Sequence, residues 1–280
     1  MTIPRVWEKS QIAAPLVQEL HSSAAMGYTP HMQEPGGGLR IRVAENYEAM
    51  SREAAAIICA ELRRKPTSLL CASAGGTPTL TYQILTVQCA RAPHRFKQLR
   101  VLQIDEWAGL PRGHPATCAE DLRRKVLRPL LLSSDRFTGF RTDAPDREAE
   151  CRRVARWLDE NRPIDVCLLG LGRNGHVAMN EPAEALTPRA HVARLAETSR
   201  QHPLLKDLAR KPTHGLTLGM TDILRSRKIL LLVNSRSKRA ALKRLMRPQI
   251  TARFPASFLW LHPDATVLCD REAISDVGTS

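Results

Sequence analysis

Two hydrophobic periods take turns along this chain. From Asn46 onward, Met50, Ala54, Ile57, Ile58 and Leu62 recur at three- and four-residue intervals, which is one face of a helix. Helices are also predicted over Ala116 to Leu131 and Asp146 to Glu160, and another opening at Pro78, since proline suits the first turn after a glycine bend. Between them stand short apolar runs: Thr67 to Ser73, Leu99 to Ile104, Asp165 to Leu169, Ile229 to Val233 and Thr266 to Leu268. Runs of this length without polar alternation predict strands covered on both faces. Strands separated by helical segments imply right-handed crossovers. The expected fold is α/β, a single Rossmann-like domain with a mainly parallel central sheet flanked by helices.

Residues 1 to 40 lack either period and contain Pro30, Pro35 and Gly36-Gly37-Gly38. They predict an N-terminal arm with one short helix, roughly Lys9 to His21, ahead of a domain over 41 to 280. A chain of 280 residues suits one α/β domain better than two.

Composition narrows the class. Hydrophobic residues at 43% and charged residues at 25% are those of a soluble globular protein. No run approaches the roughly 20 apolar residues of a membrane span. Met1-Thr2-Ile3-Pro4-Arg5 does not open a signal-peptide core. A cytoplasmic protein without a membrane partner is expected. The seven cysteines are scattered and form no C-x-x-C pair, so they predict small core residues rather than disulfides or a zinc site. The nine histidines contain no H-E-x-x-H pattern, and no metal is expected.

The net charge of +14 comes in clusters at Arg63-Arg64-Lys65, Arg123-Arg124-Lys125, Arg225 to Lys228 and Arg236 to Arg247. Aromatics make up only 4% and do not interleave with them. That pattern favours a solvated basic surface over a nucleic-acid partner, and its field attracts an anionic substrate.

Candidate chemistry gathers where apolar runs end. Val166 to Leu169 lead into Gly170-Leu171-Gly172-Arg173-Asn174-Gly175-His176, with Asn180-Glu181-Pro182 following. Ligands of α/β proteins sit at the carboxyl ends of strands. His176 can move a proton near neutral pH, and Glu181 can orient or charge it. A glycine turn holding a structural histidine fits the same local pattern. Ser73-Ala74-Gly75-Gly76-Thr77-Pro78 passes from strand to helix and suits a phosphate. Val101-Leu102-Gln103-Ile104 ends at Asp105-Glu106-Trp107. If the extended geometry continues, Glu106 points away from Asp105 and anchors structure.

In order and in kind, these blocks resemble the sugar-phosphate family of glucosamine-6-phosphate deaminases, galactosamine-6-phosphate deaminase/isomerases and 6-phosphogluconolactonases, over about residues 45 to 270. The resemblance implies that Asp105 is the general base between carbons 1 and 2. It implies that His176, supported by Glu181, assists ring opening. Gly172 belongs to the same substrate-facing turn. Ser73, Gly75, Gly76 and Thr77, together with Arg200, would hold the phosphate, and Lys238 would lie near the pocket. Arg200 fits an ordinary surface arginine as well, and Lys238 an exposed helix lysine. Where the glucosamine enzymes carry an aspartate, this chain has Asn174, and a lysine of those enzymes falls at Thr213, with Lys211 and His214 beside it.

Asn174, Trp107, Pro115-Ala116-Thr117-Cys118, Gly215 to Gly219 and Pro255 to His262 resemble the galactosamine enzymes instead. Trp107 and Trp260 also fit core aromatics. The implied reaction is isomerising deamination of a phosphorylated amino sugar, galactosamine 6-phosphate first and glucosamine 6-phosphate second, without a cofactor. A lactonase-like hydrolase and a non-catalytic sugar-phosphate sensor are the alternatives. A homo-oligomer is compatible with the resemblance.

Overall fold

A computed structural model describes residues 38–275. The expected helix over Lys9 to His21, and nearly all of the arm, lie outside the described residues. Seven strands form one sheet in the order β1-β10-β9-β6-β2-β3-β5, with every neighbouring pair parallel. They are β1 (Arg40–Ala44), β2 (Leu69–Ala72), β3 (Arg100–Gln103), β5 (Phe137–Thr138), β6 (Val166–Gly170), β9 (Lys228–Val233) and β10 (Ala265–Asp270). The α/β expectation, a mainly parallel sheet flanked by helices, holds.

Strand alternation divides the core in two. Leu69, Cys71, Cys167, Leu169, Ile229 and Leu231 join one cluster with Cys151, Val154 and Leu158 of a helix over Arg147–Asn161. Leu70, Ala72, Val166, Leu168, Leu230 and Leu232 join the other, with Met50, Ala54, Ile58 and Leu62 of a helix over Tyr47–Arg64. Each such leucine contributes about 2 kcal/mol by leaving water. Asn46 caps the Tyr47–Arg64 helix by accepting from the Ala49 N–H, while Arg63 and Arg64 sit in its last turn, where the helix dipole favours cations. All seven cysteines are free, six of them buried.

Asp165 locks the entry to β6. Its side chain is fully buried, accepts from the Leu69 N–H at 2.8 Å and meets Lys65 Nζ at 2.9 Å through both oxygens. Asp165→Ala strands the Leu69 N–H but leaves Lys65 partly solvated. We expect a loss of about 2 kcal/mol, the cost of one orphaned buried donor, read by urea denaturation.

The structure departs from the sequence expectations at three places. β3 stops at Gln103, and the chain turns at Ile104 into β4 (Asp105–Trp107), which belongs to a second, antiparallel sheet with β7 (His191–Arg194) and β8 (His214–Thr217). These strands are three or four residues long, too short to show a period. The helix expected over Ala116 to Leu131 begins at Cys118, with Thr117 as its cap, and widens after Leu122 into a π-turn over Arg123–Leu127. β1, with only Ala44 buried, is an exposed edge strand whose mixed Arg-Ile-Arg-Val-Ala sequence does not stand out as an apolar run.

Candidate active site

A cleft of about 560 Å³ opens at the carboxyl ends of β2, β6 and β9, next to the start of β4. It brings together Ser73, Gly75, Gly76, Thr77, Asp105, Gly172, His176, Glu181 and Lys238. The sequence places these residues in four separate blocks, which follow β2, β3, β6 and β9; the parallel sheet brings those four strand ends to one edge.

The β6 turn holds the histidine. Gly172 N–H donates to His176 O, and Gly175 N–H donates to Gly172 O. The imidazole lies directly over Gly172: a methyl there would come within 2.4 Å of His176 Nδ1. Gly175 has φ +90°, and Phe254 fills the space a side chain would need. Ala178, between the histidine and the glutamate, also has positive φ (52°), an uncommon conformation for a residue with Cβ. Asn180 fixes this bend by donating through Nδ2 to Val177 O and Leu218 O.

Glu181 Oε2 lies 3.4 Å from His176 Nδ1, and Ser199 Oγ lies 3.2 Å from the same nitrogen. Burial raises the Glu181 pKa, but His176, Ser199 and Asn174 outweigh it and hold the carboxyl at about 2. Asn174 acts on the carboxylate rather than on the ring: its Nδ2 donates to Glu181 Oε2 at 2.8 Å, and its Oδ1 accepts from the His176 N–H.

Asp105 and Glu106 divide as strand geometry requires. Glu106 is fully buried and accepts from the N–H groups of Trp107, Cys118 and Ala119 and from Gln103 Nε2. It joins β4 to the Cys118–Leu122 helix. Among the described residues, no donor meets the Asp105 carboxylate. Burial, then the charge of Glu106, pushes the Asp105 pKa up to about 7. A carboxylate without hydrogen bonds, titrating near neutrality and facing a cleft, is equipped to accept a proton.

The glycine turn after β2 is braced from below. Gly75 N–H donates to Asp121 Oδ2 at 2.9 Å, and Lys125 Nζ binds both Asp121 Oδ2 and Gly75 O. The π-turn lies in this stretch, as such turns often do near functional sites. Gly75 therefore has no N–H to offer a ligand, and Thr77 Oγ1 donates to Asn234 Oδ1. What remains is the N–H groups of Gly76 and Thr77, which meet no acceptor among the described residues, and the buried Ser73 hydroxyl, which has no partner there either.

The cations are distributed differently from the sequence reading. Lys238 lines the cleft, its pKa lowered by burial and then by the charge of Arg173, and Arg173 lines the same wall. Arg200 does not line it; its guanidinium pairs with Glu197 at 2.8 Å, one helical turn away. Lys211 and His214 do not line it either. Trp107 forms part of the wall, whereas Trp260 donates to Leu245 O and packs on the core.

His202 was missed. It stacks obliquely on Trp107 with ring centroids 5.5 Å apart, and its Nδ1 accepts from the Leu204 N–H, which leaves the ring proton on Nε2 beside Gly75. Burial pushes its pKa down to about 4, so it is neutral at pH 7. The only signal in the sequence was a histidine ahead of a proline two residues beyond Arg200, which carries no motif.

The model of one protein family, glucosamine-6-phosphate isomerases/6-phosphogluconolactonase, matches residues 43–268. A protein of Escherichia coli K12, AgaI, provisionally named a deaminase, is 39% identical over 218 residues, covering 78% of this chain and 86% of that one. A glucosamine-6-phosphate deaminase of Bacillus pumilus is 37% identical over 231 residues, covering 82% and 96%. Among solved structures, a monomeric glucosamine-6-phosphate deaminase superposes with a TM-score of 0.79 at 35% identity, covering 84% of this chain and 98% of that one. A 6-phosphogluconolactonase from Trypanosoma brucei has a TM-score of 0.64 at 18% identity, covering 85% and 98%, which establishes a shared fold.

Proposed function

The chain belongs to the family of glucosamine-6-phosphate isomerases and 6-phosphogluconolactonases, and from that premise we propose that it converts galactosamine 6-phosphate and water to tagatose 6-phosphate and ammonia. At the coarser level it is an enzyme of the amino-sugar-phosphate deaminase class. The observation that carries the proposal is the Asp105 carboxylate, free of donors and titrating near 7, in one cleft with the His176–Glu181 pair.

His176 exchanges a proton with the ring oxygen as the pyranose opens, and Glu181 stabilises the imidazolium. Asn174 contributes by holding Glu181, which makes Glu181 the charged partner of the ring. Asp105 takes the proton from carbon 2 of the open chain, forming an enolamine, and returns it to carbon 1. The carbon–nitrogen bond is then an imine, which water hydrolyses to the ketose and ammonia. The phosphate sits against the Gly76 and Thr77 N–H groups, the Ser73 hydroxyl and the ammonium of Lys238, with Arg173 at the rim. Its binding energy positions carbons 1 and 2 against Asp105. Arg200 joins this set only by leaving Glu197.

The preference for the galacto sugar rests on Asn174 and Trp107. The test is kcat/KM for galactosamine 6-phosphate and glucosamine 6-phosphate, followed by ammonia release. A galacto preference of tenfold or about that supports the proposal, being roughly the worth of one hydrogen bond. Equal or reversed preference assigns the chain to glucosamine 6-phosphate, and hydrolysis of a 6-phosphosugar lactone without ammonia release overturns the deaminase reading.

A further prediction arises from the brace under the glycine turn. Asp121→Ala frees the Gly75 N–H and removes the carboxylate shared by Lys125 and Arg124, leaving the Lys125 contact to Gly75 O alone, so the turn should loosen. We expect KM to rise about tenfold with kcat reduced less, the cost of roughly one charge-assisted hydrogen bond.

A further inference from the structure

A second cavity, of about 390 Å³, opens behind β4 and shares no lining residue with the catalytic cleft. The strand separates the two: Asp105 faces the cleft and Glu106 faces the second cavity. Five arginines line it, namely Arg112, Arg123, Arg128, Arg141 and Arg153. Two are neutralised locally. Arg123 pairs with Glu120, and Arg153 grips Glu150 with Nε at 2.9 Å and Nη2 at 2.6 Å. The guanidinium groups of Arg112, Arg128 and Arg141 meet no carboxylate among the described residues, although the Arg141 backbone N–H donates to Glu150 Oε1 at 2.7 Å.

Three unpaired guanidinium groups around one concavity repel each other, and the low-dielectric wall strengthens their field. Among the described residues, the one carboxylate in the wall is Glu106, whose oxygens are already taken by four donors. The π-turn contributes directly. Arg128 N–H bonds back five residues to Arg123 O, and that wider winding brings the two arginines toward one side, where a regular α-helix would separate them. Ser134 and Thr138 add hydroxyl groups, while Leu127, Leu132 and Phe137 supply apolar wall. Guanidinium forks with hydroxyls match phosphate oxygens, and the volume exceeds that of a lone inorganic ion.

We propose that this cavity is a binding site for a small phosphate compound carrying two or more negative charges, separate from the substrate cleft. The probe is inorganic pyrophosphate, titrated calorimetrically into the full-length chain. A high-affinity event should be weakened by about 30-fold or more in Arg112→Ala/Arg128→Ala/Arg141→Ala, roughly 2 kcal/mol for three lost contacts. The same event should change less than about twofold in Lys238→Ala, and likewise in Arg63→Ala/Arg91→Ala/Arg210→Ala, which removes the same charge from exposed sites elsewhere. The cavity triple variant should keep its kcat/KM on the amino-sugar phosphate. Equal weakening in both triple variants means that the anion answers only to net charge, and loss in Lys238→Ala means that it sits in the substrate cleft. Either result, or the absence of a saturable event, overturns the proposal. Because the readout is binding, it stands apart from the outcome of the deaminase assays.

Discussion

Asp105→Asn is expected to lower kcat for amino-sugar phosphate deamination by about 10³-fold, within the range that a positioned acid–base group supplies. The amide has the same shape and cannot take the carbon 2 proton. The side chain carries no hydrogen bond among the described residues, so its exchange disturbs no network there and the fold should persist. KM should change little, since the phosphate is held elsewhere. The pH profile provides a second reading of the same group. A base must be ionised, so kcat/KM of the wild type should rise with pH and level off through an apparent pKa near 7, where burial and then Glu106 place the carboxyl.

Stability should move the opposite way. The folded pKa is raised above the unfolded value of about 4. Asp105 therefore contributes stability below pH 4 that is lost as pH rises through 7. Asp105→Asn removes that loss: its Tm should exceed that of the wild type at pH 8 and match it at pH 4. Thermal scans at the two pH values separate loss of a base from loss of structure.

Gly172→Ala should be the next most damaging small change, lowering kcat by about 100-fold, the usual cost of misplacing a catalytic group by an ångström. The new methyl would stand 2.4 Å from His176 Nδ1, closer than any real contact, so the imidazole must rotate away from Glu181 and Ser199. Backbone conformation is no obstacle, because Gly172 is not among the glycines with positive φ. The loss should therefore be read as misplacement of one ring. Circular dichroism should match the wild type, and the imidazole NMR signal of His176 should shift. A Gly172→Ala variant with unchanged kcat would mean that the histidine position does not matter to the reaction.

Much of the fold could be read from the chain because both faces of the large sheet are covered. Strands such as Val166–Gly170 and Lys228–Val233 then become unbroken apolar runs that stand out from the amphipathic helix over Tyr47–Arg64. The second sheet could not be read this way. His191–Arg194 has one buried residue in four, and His214–Thr217 is recognisable only as part of a family block.

At the cleft, the positions of residues next to a strand end, such as Asp105 and His176, can be read from the chain because the parallel sheet decides where they go. The opposed directions of Asp105 and Glu106 follow from the two-residue period of a strand. Side chains that arrive from loops were harder. Arg200 carries the right charge but turns to Glu197, and His202, two residues on, reaches the cleft through a bend that no pattern encodes. Arg173 lies inside the most conspicuous motif, yet its side-chain direction depends on the turn, so its place beside Lys238 emerges only in three dimensions.

The central claim is that Asp105 breaks the carbon 2–hydrogen bond on the way to ammonia. The most direct test is to supply galactosamine 6-phosphate deuterated at carbon 2 and follow ammonia and product by NMR. A primary isotope effect on ammonia release is expected, with deuterium lost from carbon 2 and appearing at carbon 1 of the ketose or in solvent. Ammonia released with the carbon 2 deuterium retained would contradict it.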